Sequence, residues 1–99
     1  MPVAPRESFS QPDPLLPDFV VYPNPAQNFV NLDLKDYLGE QLVITIYSPT
    51  GRQIQQQNID RLDQAIVSLD LQGLAAGTYQ IELRTTDHQQ AKILIIRGH

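Results

Sequence analysis

The feature that most constrains this chain is a succession of short runs rich in Val, Ile, Leu and Tyr. Each run is closed by Gly, Pro, Asn or Asp, and the pattern holds from Phe19 onward. Short apolar runs punctuated in this way specify an all-β sandwich or barrel. Seven such segments are predicted, at residues 19–22, 28–34, 41–47, 52–58, 64–71, 78–84 and 90–97. Most show the period of two that a half-buried antiparallel strand requires. Val30, Leu32 and Leu34 share one face of the second segment, and Leu42, Ile44 and Ile46 one face of the third. Ala65, Val67, Leu69 and Leu71 are in phase in the fifth. In the sixth, Tyr79, Ile81 and Leu83 alternate with Gln80, Glu82 and Arg84. The fourth segment is mostly Gln and reads as a wet edge strand. The seventh is apolar on both faces beyond Lys92; the expectation puts Ile93 and Ile95 in the core and leaves Leu94 and Ile96 outside. Residues 35–40 allow a single helical turn, stopped by Gly39.

The segment before Phe19 has a different texture. Five of the eight prolines (Pro2, Pro5, Pro12, Pro14 and Pro17) fall there, with Ser, Gln and Asp between them. Such a stretch can neither continue a helix nor join a ladder. Residues 1–18 are therefore expected to be an extended linker, and residues 19–99 one domain. A chain of 99 residues holds one core.

Three turn signatures punctuate the strands. In Tyr22-Pro23-Asn24-Pro25-Ala26, each proline fixes its own φ and pushes the preceding residue towards extended geometry, giving a stiff corner. In Ser48-Pro49-Thr50-Gly51-Arg52, Pro49 suits the second position of a type I turn. Gly51 then supplies the left-handed residue that returns the chain into the next strand. In Leu71-Gln72-Gly73-Leu74-Ala75-Ala76-Gly77-Thr78-Tyr79, Leu74 is expected to plug one end of the sandwich. Gly77 gives conformational freedom at the start of the sixth strand, and Tyr79 buries its ring while its hydroxyl finds a partner. Taken singly, each signature is explained by folding alone.

Taken in order, they carry more. The series Val21 to Ala26, Val43 to Arg52, Leu69 to Tyr79 and the closing Lys92-Ile93-Leu94-Ile95-Ile96 resembles the type A C-terminal sorting domain of the type IX secretion system. The resemblance covers Phe19 to Arg97. It implies a seven-stranded antiparallel immunoglobulin-like β-sandwich at the carboxy end of a secreted precursor. The implied partners are an N-terminal cargo domain, the outer-membrane translocon, a shuttle protein and a surface sortase that removes the domain. The implied destination is the cell surface or the medium, reached through the periplasm. Pro23, Asn24, Pro25, Gly51, Arg52, Leu74, Gly77, Tyr79 and Lys92 match family positions. The carboxy-terminal strand is part of what the export machinery reads in that family, so Leu94, Ile96 and Arg97 are the candidates for translocon recognition. Two departures stand out: Ser48 occupies a position where members often carry Asp, and the chain runs on into Gly98-His99.

Other chemistry finds little footing. Net charge is −4, and the seven basic residues are scattered singly, which argues against nucleic acid. No cysteine is present, so disulfides and thiolate metal sites are excluded. His88 and His99 lack ligand spacing, and Asp33, Asp36 and Glu40 lack a calcium-loop pattern. No serine has a nucleophile-elbow context, no glycine loop suits a phosphate, and no cofactor is implied. A pocket above about 300 Å3 is not expected in so small a sandwich. No apolar run reaches the roughly 20 residues of a membrane helix, and no signal peptide opens the chain; one is expected far upstream in a precursor. The main competing reading is an adhesion or carbohydrate-binding accessory module, which would need exposed aromatics for sugar stacking; a third is a purely structural spacer, which need not stand last in its precursor.

Overall fold

The computed structural model describes residues 17–97. The expected linker, apart from Pro17 and Asp18, lies outside the described residues, as do Gly98 and His99. Seven strands follow in order: β1 (Val20–Tyr22), β2 (Phe29–Asp33), β3 (Leu42–Tyr47), β4 (Gln53–Ile59), β5 (Ile66–Asp70), β6 (Gly77–Thr85) and β7 (Gln89–Ile96). A single 3-10 turn at Lys35–Tyr37 stands where the sequence allows one. The strands form two antiparallel sheets, β1-β2-β5 and β4-β3-β6-β7. This is an immunoglobulin-like β-sandwich in which the fourth strand belongs to the larger sheet.

The core follows the alternation of the strands. Val30 and Leu32 of the first sheet, with Leu34 just past the end of β2, meet Leu42, Ile44, Ile46, Ile81 and Leu83 from the second, all essentially solvent-free. Phe19, Tyr37, Leu62 and Leu71 close the ends of the layer. Each such aliphatic side chain contributes about 1.5–3 kcal/mol through burial. β4 is the wet edge strand expected from its glutamines, with only Gln55 and Ile59 partly covered.

The phase of β7 is opposite to the expectation. Leu94 and Ile96 are buried, at 0% and 3% exposure, whereas Ile93 and Ile95 stand out at 55% and 45%. The cause is register. Leu94 lies opposite Tyr79 and Ile96 opposite Gly77. Directly opposed residues of an antiparallel pair share a face, and the Tyr79 face points inward. Lys92 shares that inward phase but lies where its long side chain reaches out of the layer, its Nζ 3.2 Å from Asp18 Oδ1.

Candidate functional site

The corner at Tyr22 to Ala26 moves the chain from one sheet to the other. β1 pairs with β2 in the smaller sheet. After the corner, in which both Tyr22–Pro23 and Asn24–Pro25 are cis, Ala26 bridges to Ile96 in parallel in the larger sheet. The Ala26 amide donates to the Ile95 carbonyl at 2.8 Å, and the Arg97 amide to the Ala26 carbonyl at 2.7 Å. Between the prolines, Asn24 does with its side chain what a strand does with its backbone. Its Nδ2 donates to the Ile93 carbonyl at 2.9 Å, and its Oδ1 accepts from the Ile95 amide at 3.0 Å. The open edge of β7 is thereby occupied along its second half. Sequence reasoning singled out Asn24 only as a motif position; its flanking prolines, which cannot donate, were the signal that the side chain must do the bonding.

The first half of β7 is tied to the start of β1. Gln90 Nε2 donates to the Pro17 carbonyl at 2.6 Å, and Lys92 pairs with Asp18 and lies 5.5 Å from the centre of the Phe19 ring. Beneath them the buried Tyr37 hydroxyl has no hydrogen-bond partner among the described residues. Burial raises its pKa above the ordinary tyrosine value; the carboxylates of Asp18, Glu40 and Asp36 add to the rise, and the Gln90 side chain acts against it. The unfolded chain thus ionises this phenol first. Its contribution is intact below the ordinary tyrosine value of about 10 and is lost as pH climbs through the higher folded value. Thermal melts should therefore lose midpoint above about pH 10 in a way that Tyr37→Phe reduces. An unchanged alkaline slope in that variant would remove Tyr37 from the account.

The other two signatures meet at one end of the sandwich. The Gly51 amide donates to the Ser48 carbonyl at 2.9 Å and the Ser48 amide to the Arg52 carbonyl at 2.8 Å, with Gly51 at φ +89°. Ser48 Oγ accepts from the Arg52 amide at 3.1 Å and the Thr50 amide at 3.3 Å. This single oxygen does the amide-capping that a carboxylate could do at the same position, which reconciles Ser48 with the turn. Gly77 is a correction. Its φ lies outside the left-handed region, and glycine is favoured instead by close approach: a Cβ there would stand 3.2 Å from Pro49 Cγ, so that ring would have to give way. Gly77→Val should cost about 1–3 kcal/mol by overpacking. Pro49→Ala should recover part of that loss in urea melts of the double variant; strict additivity would sever the contact. Leu74 is half-buried against the core, as expected of a plug. Tyr79 is buried, and its hydroxyl donates to the Ala75 carbonyl at 2.7 Å, a tyrosine corner.

On the outer face of the larger sheet, Glu82 holds a polar group together. It accepts from Tyr47 Oη at 3.3 Å, pairs with Arg84 at 3.3 Å and accepts from Gln89 Nε2. Beside this row, Ile93 and Ile95 lie opposite Gln80 and Thr78, exposed and without an apolar cross-strand partner among the described residues. Arg97 follows them, also exposed. The sequence could not resolve this stripe, because four consecutive aliphatics have no alternation to read. Surface depressions are larger than expected. One of about 320 Å3 is lined by Pro23, Pro25, Gln27, Asn28, Phe29 and Arg97, and one of about 540 Å3 by Leu38, Gly39, Arg61, Leu62 and Asp63. Both are open to solvent rather than enclosed. Among the described residues no three His, Cys, Asp or Glu side chains gather as a metal site would need, and no helix is long and apolar enough to cross a membrane.

The sandwich, its sheet-switching first strand and its tyrosine corner define an immunoglobulin-like module. A crystal structure of a DUF3244 family protein from Bacteroides vulgatus, described as an immunoglobulin-like β-sandwich, is similar. It superposes with a TM-score of 0.61 at 12% identity, over 80% of this chain and 94% of that one. No curated protein matches significantly. Residues 20–97 match the secretion system C-terminal sorting domain, and the chain belongs to that family. It is a sorting signal of type IX secretion, the part of a cargo protein that marks it for the surface or the medium. Neither the family nor the fold is an enzymatic one.

Proposed function

We propose that this domain delivers the polypeptide preceding it to the type IX translocon, and that the outer face of β7, carrying Ile93, Ile95 and Arg97, is the surface that the export machinery reads. The observation that carries the reading is the exposure of Ile93 and Ile95 on the last strand of a sorting domain. Two large aliphatics side by side in water are a hazard unless a partner covers them. Asn24 and Ala26 occupy the backbone edge of the same strand, so the face, not the edge, is what remains for a partner. Shuttle protein and sortase act afterwards, with cleavage in or just upstream of residues 1–18 and the sandwich left whole. The domain performs no catalysis.

The test is a fusion of Pro17–His99 behind a signal peptide and a fluorescent reporter in a type IX-competent cell. The reporter should reach the surface, and Ile93→Ser with Ile95→Ser should strand it in the periplasm while the purified domain keeps its melting temperature. Export undiminished in that folded variant would remove the β7 face as the signal. Retention of a folded wild-type fusion would sink the sorting role of this chain. Mass spectrometry of the released fragment locates the cut, and a cut between Val30 and Ile96 would contradict the proposed order of events.

A further inference from the structure

Of the sheet edges, β4 is the long one that no strand covers among the described residues. β7 has Asn24 and Ala26 along its second half, β1 is three residues long, and the Asp70 carbonyl at the end of β5 accepts Gln55 Nε2 at 3.2 Å. Among the described residues β4 pairs only with β3. Over seven residues, Gln-Ile-Gln-Gln-Gln-Asn-Ile, it has no charge, no Pro and no Gly. Its one protective irregularity is a bulge near its start, where Tyr47 and Ile46 of β3 face Gln53 and Gln55 and Ile54 is left over; from Gln55 to Ile59 the edge is regular and carries no charge or proline to keep it from pairing with another chain. Its glutamines do not screen it either. Gln55 reaches across to the other sheet, and Gln56 Nε2 lies 3.4 Å from Thr45 Oγ1 on the sheet face.

Charge appears only at the two ends of the strand. Arg52 precedes it and Asp60 follows it, both exposed and neither in an ion pair among the described residues. They stand four residues to either side of Gln56. If two copies of β4 pair antiparallel about Gln56, Arg52 of each copy falls opposite Asp60 of the other, twice over. Within the regular stretch Gln55 then faces Gln57, and the bulge at Ile54 lies between that stretch and the Arg52 end. A slip of two residues loses both charge pairs, so the ends select one register. A two-fold contact must be its own complement, and this strand meets that condition with an uncharged middle and opposite ends.

We propose that β4 is a self-association edge, through which two copies of this chain join their four-stranded sheets into one continuous antiparallel sheet. The contact is narrow compared with stable interfaces, so the dimer is a weak one that appears at high concentration. Such an edge would bring two sorting domains together where they are crowded, independently of the β7 face.

Sedimentation velocity on the full chain, from micromolar to millimolar concentration, tests it. The wild type should pass from monomer to dimer. Arg52→Asp leaves acid at both ends of β4 and Asp60→Arg leaves base at both ends; each variant alone should stay monomeric. An equimolar mixture of the two should dimerise, because every end then meets its opposite, and the double variant Arg52→Asp, Asp60→Arg should associate as the wild type does. A wild type monomeric at every concentration would overturn the proposal. So would single variants that dimerise like the wild type, or a mixture that stays monomeric while both variants keep the far-ultraviolet circular dichroism of the folded sheet.

Discussion

Serine at both Leu94 and Ile96 should unfold the domain. The two side chains are 0% and 3% exposed and lie opposite Tyr79 and Gly77 on the inner face of the larger sheet. Removing a buried Leu or Ile side chain costs about 2–5 kcal/mol. Each hydroxyl placed in the core adds a desolvation cost unless it finds a partner. The sum reaches the whole of the roughly 5–15 kcal/mol that holds a domain together. Near-ultraviolet circular dichroism should collapse and the cooperative melt should vanish, whereas serine at Ile93 and Ile95 should leave both intact. A cooperative melt in the Leu94, Ile96 variant would return β7 to the opposite phase.

Tyr79→Ala is the single substitution with the largest expected loss, about 3–5 kcal/mol, because the whole ring leaves a filled site. Tyr79→Phe should cost about 0.5–1.5 kcal/mol, the net value of one hydrogen bond, since only the bond to the Ala75 carbonyl is removed. The separation matters, because the ring anchors β6 to the core while the hydroxyl fixes the loop that enters it. Urea midpoints for the two variants that coincide would assign the effect to the hydroxyl alone.

The fold was legible wherever a strand had one wet face. Tyr79, Ile81 and Leu83 alternate with Gln80, Glu82 and Arg84, and the inner and outer faces follow that order. β7 has no such alternation, and Lys92, a charged residue, shares the phase of the buried Leu94 and Ile96. Only the pairing with β6 settles which face is which, and pairing is a long-range fact that no local pattern contains. The same holds for the site. The Pro-Asn-Pro corner was visible as a corner, but its bonds span 69 and 71 residues. Gly77 was readable as a position suited to glycine, but the reason for it, the Pro49 ring, belongs to a turn far away in the chain.

The parallel bridge between Ala26 and Ile96 also decides how the domain bears tension. Four hydrogen bonds link the corner to β7: two from the Asn24 amide, and the pair between Ala26 and its neighbours Ile95 and Arg97. The two segments run in the same direction. Pulling the residues before Phe19 away from those after Ile96 therefore drags the segments past each other lengthwise. The bonds are loaded together in shear, and they must fail at once rather than peel one by one. Force entering ahead of Phe19 first meets that buried ring and the pairing of β1 with β2, and the corner behind them adds a patch of bonds that must be sheared rather than peeled.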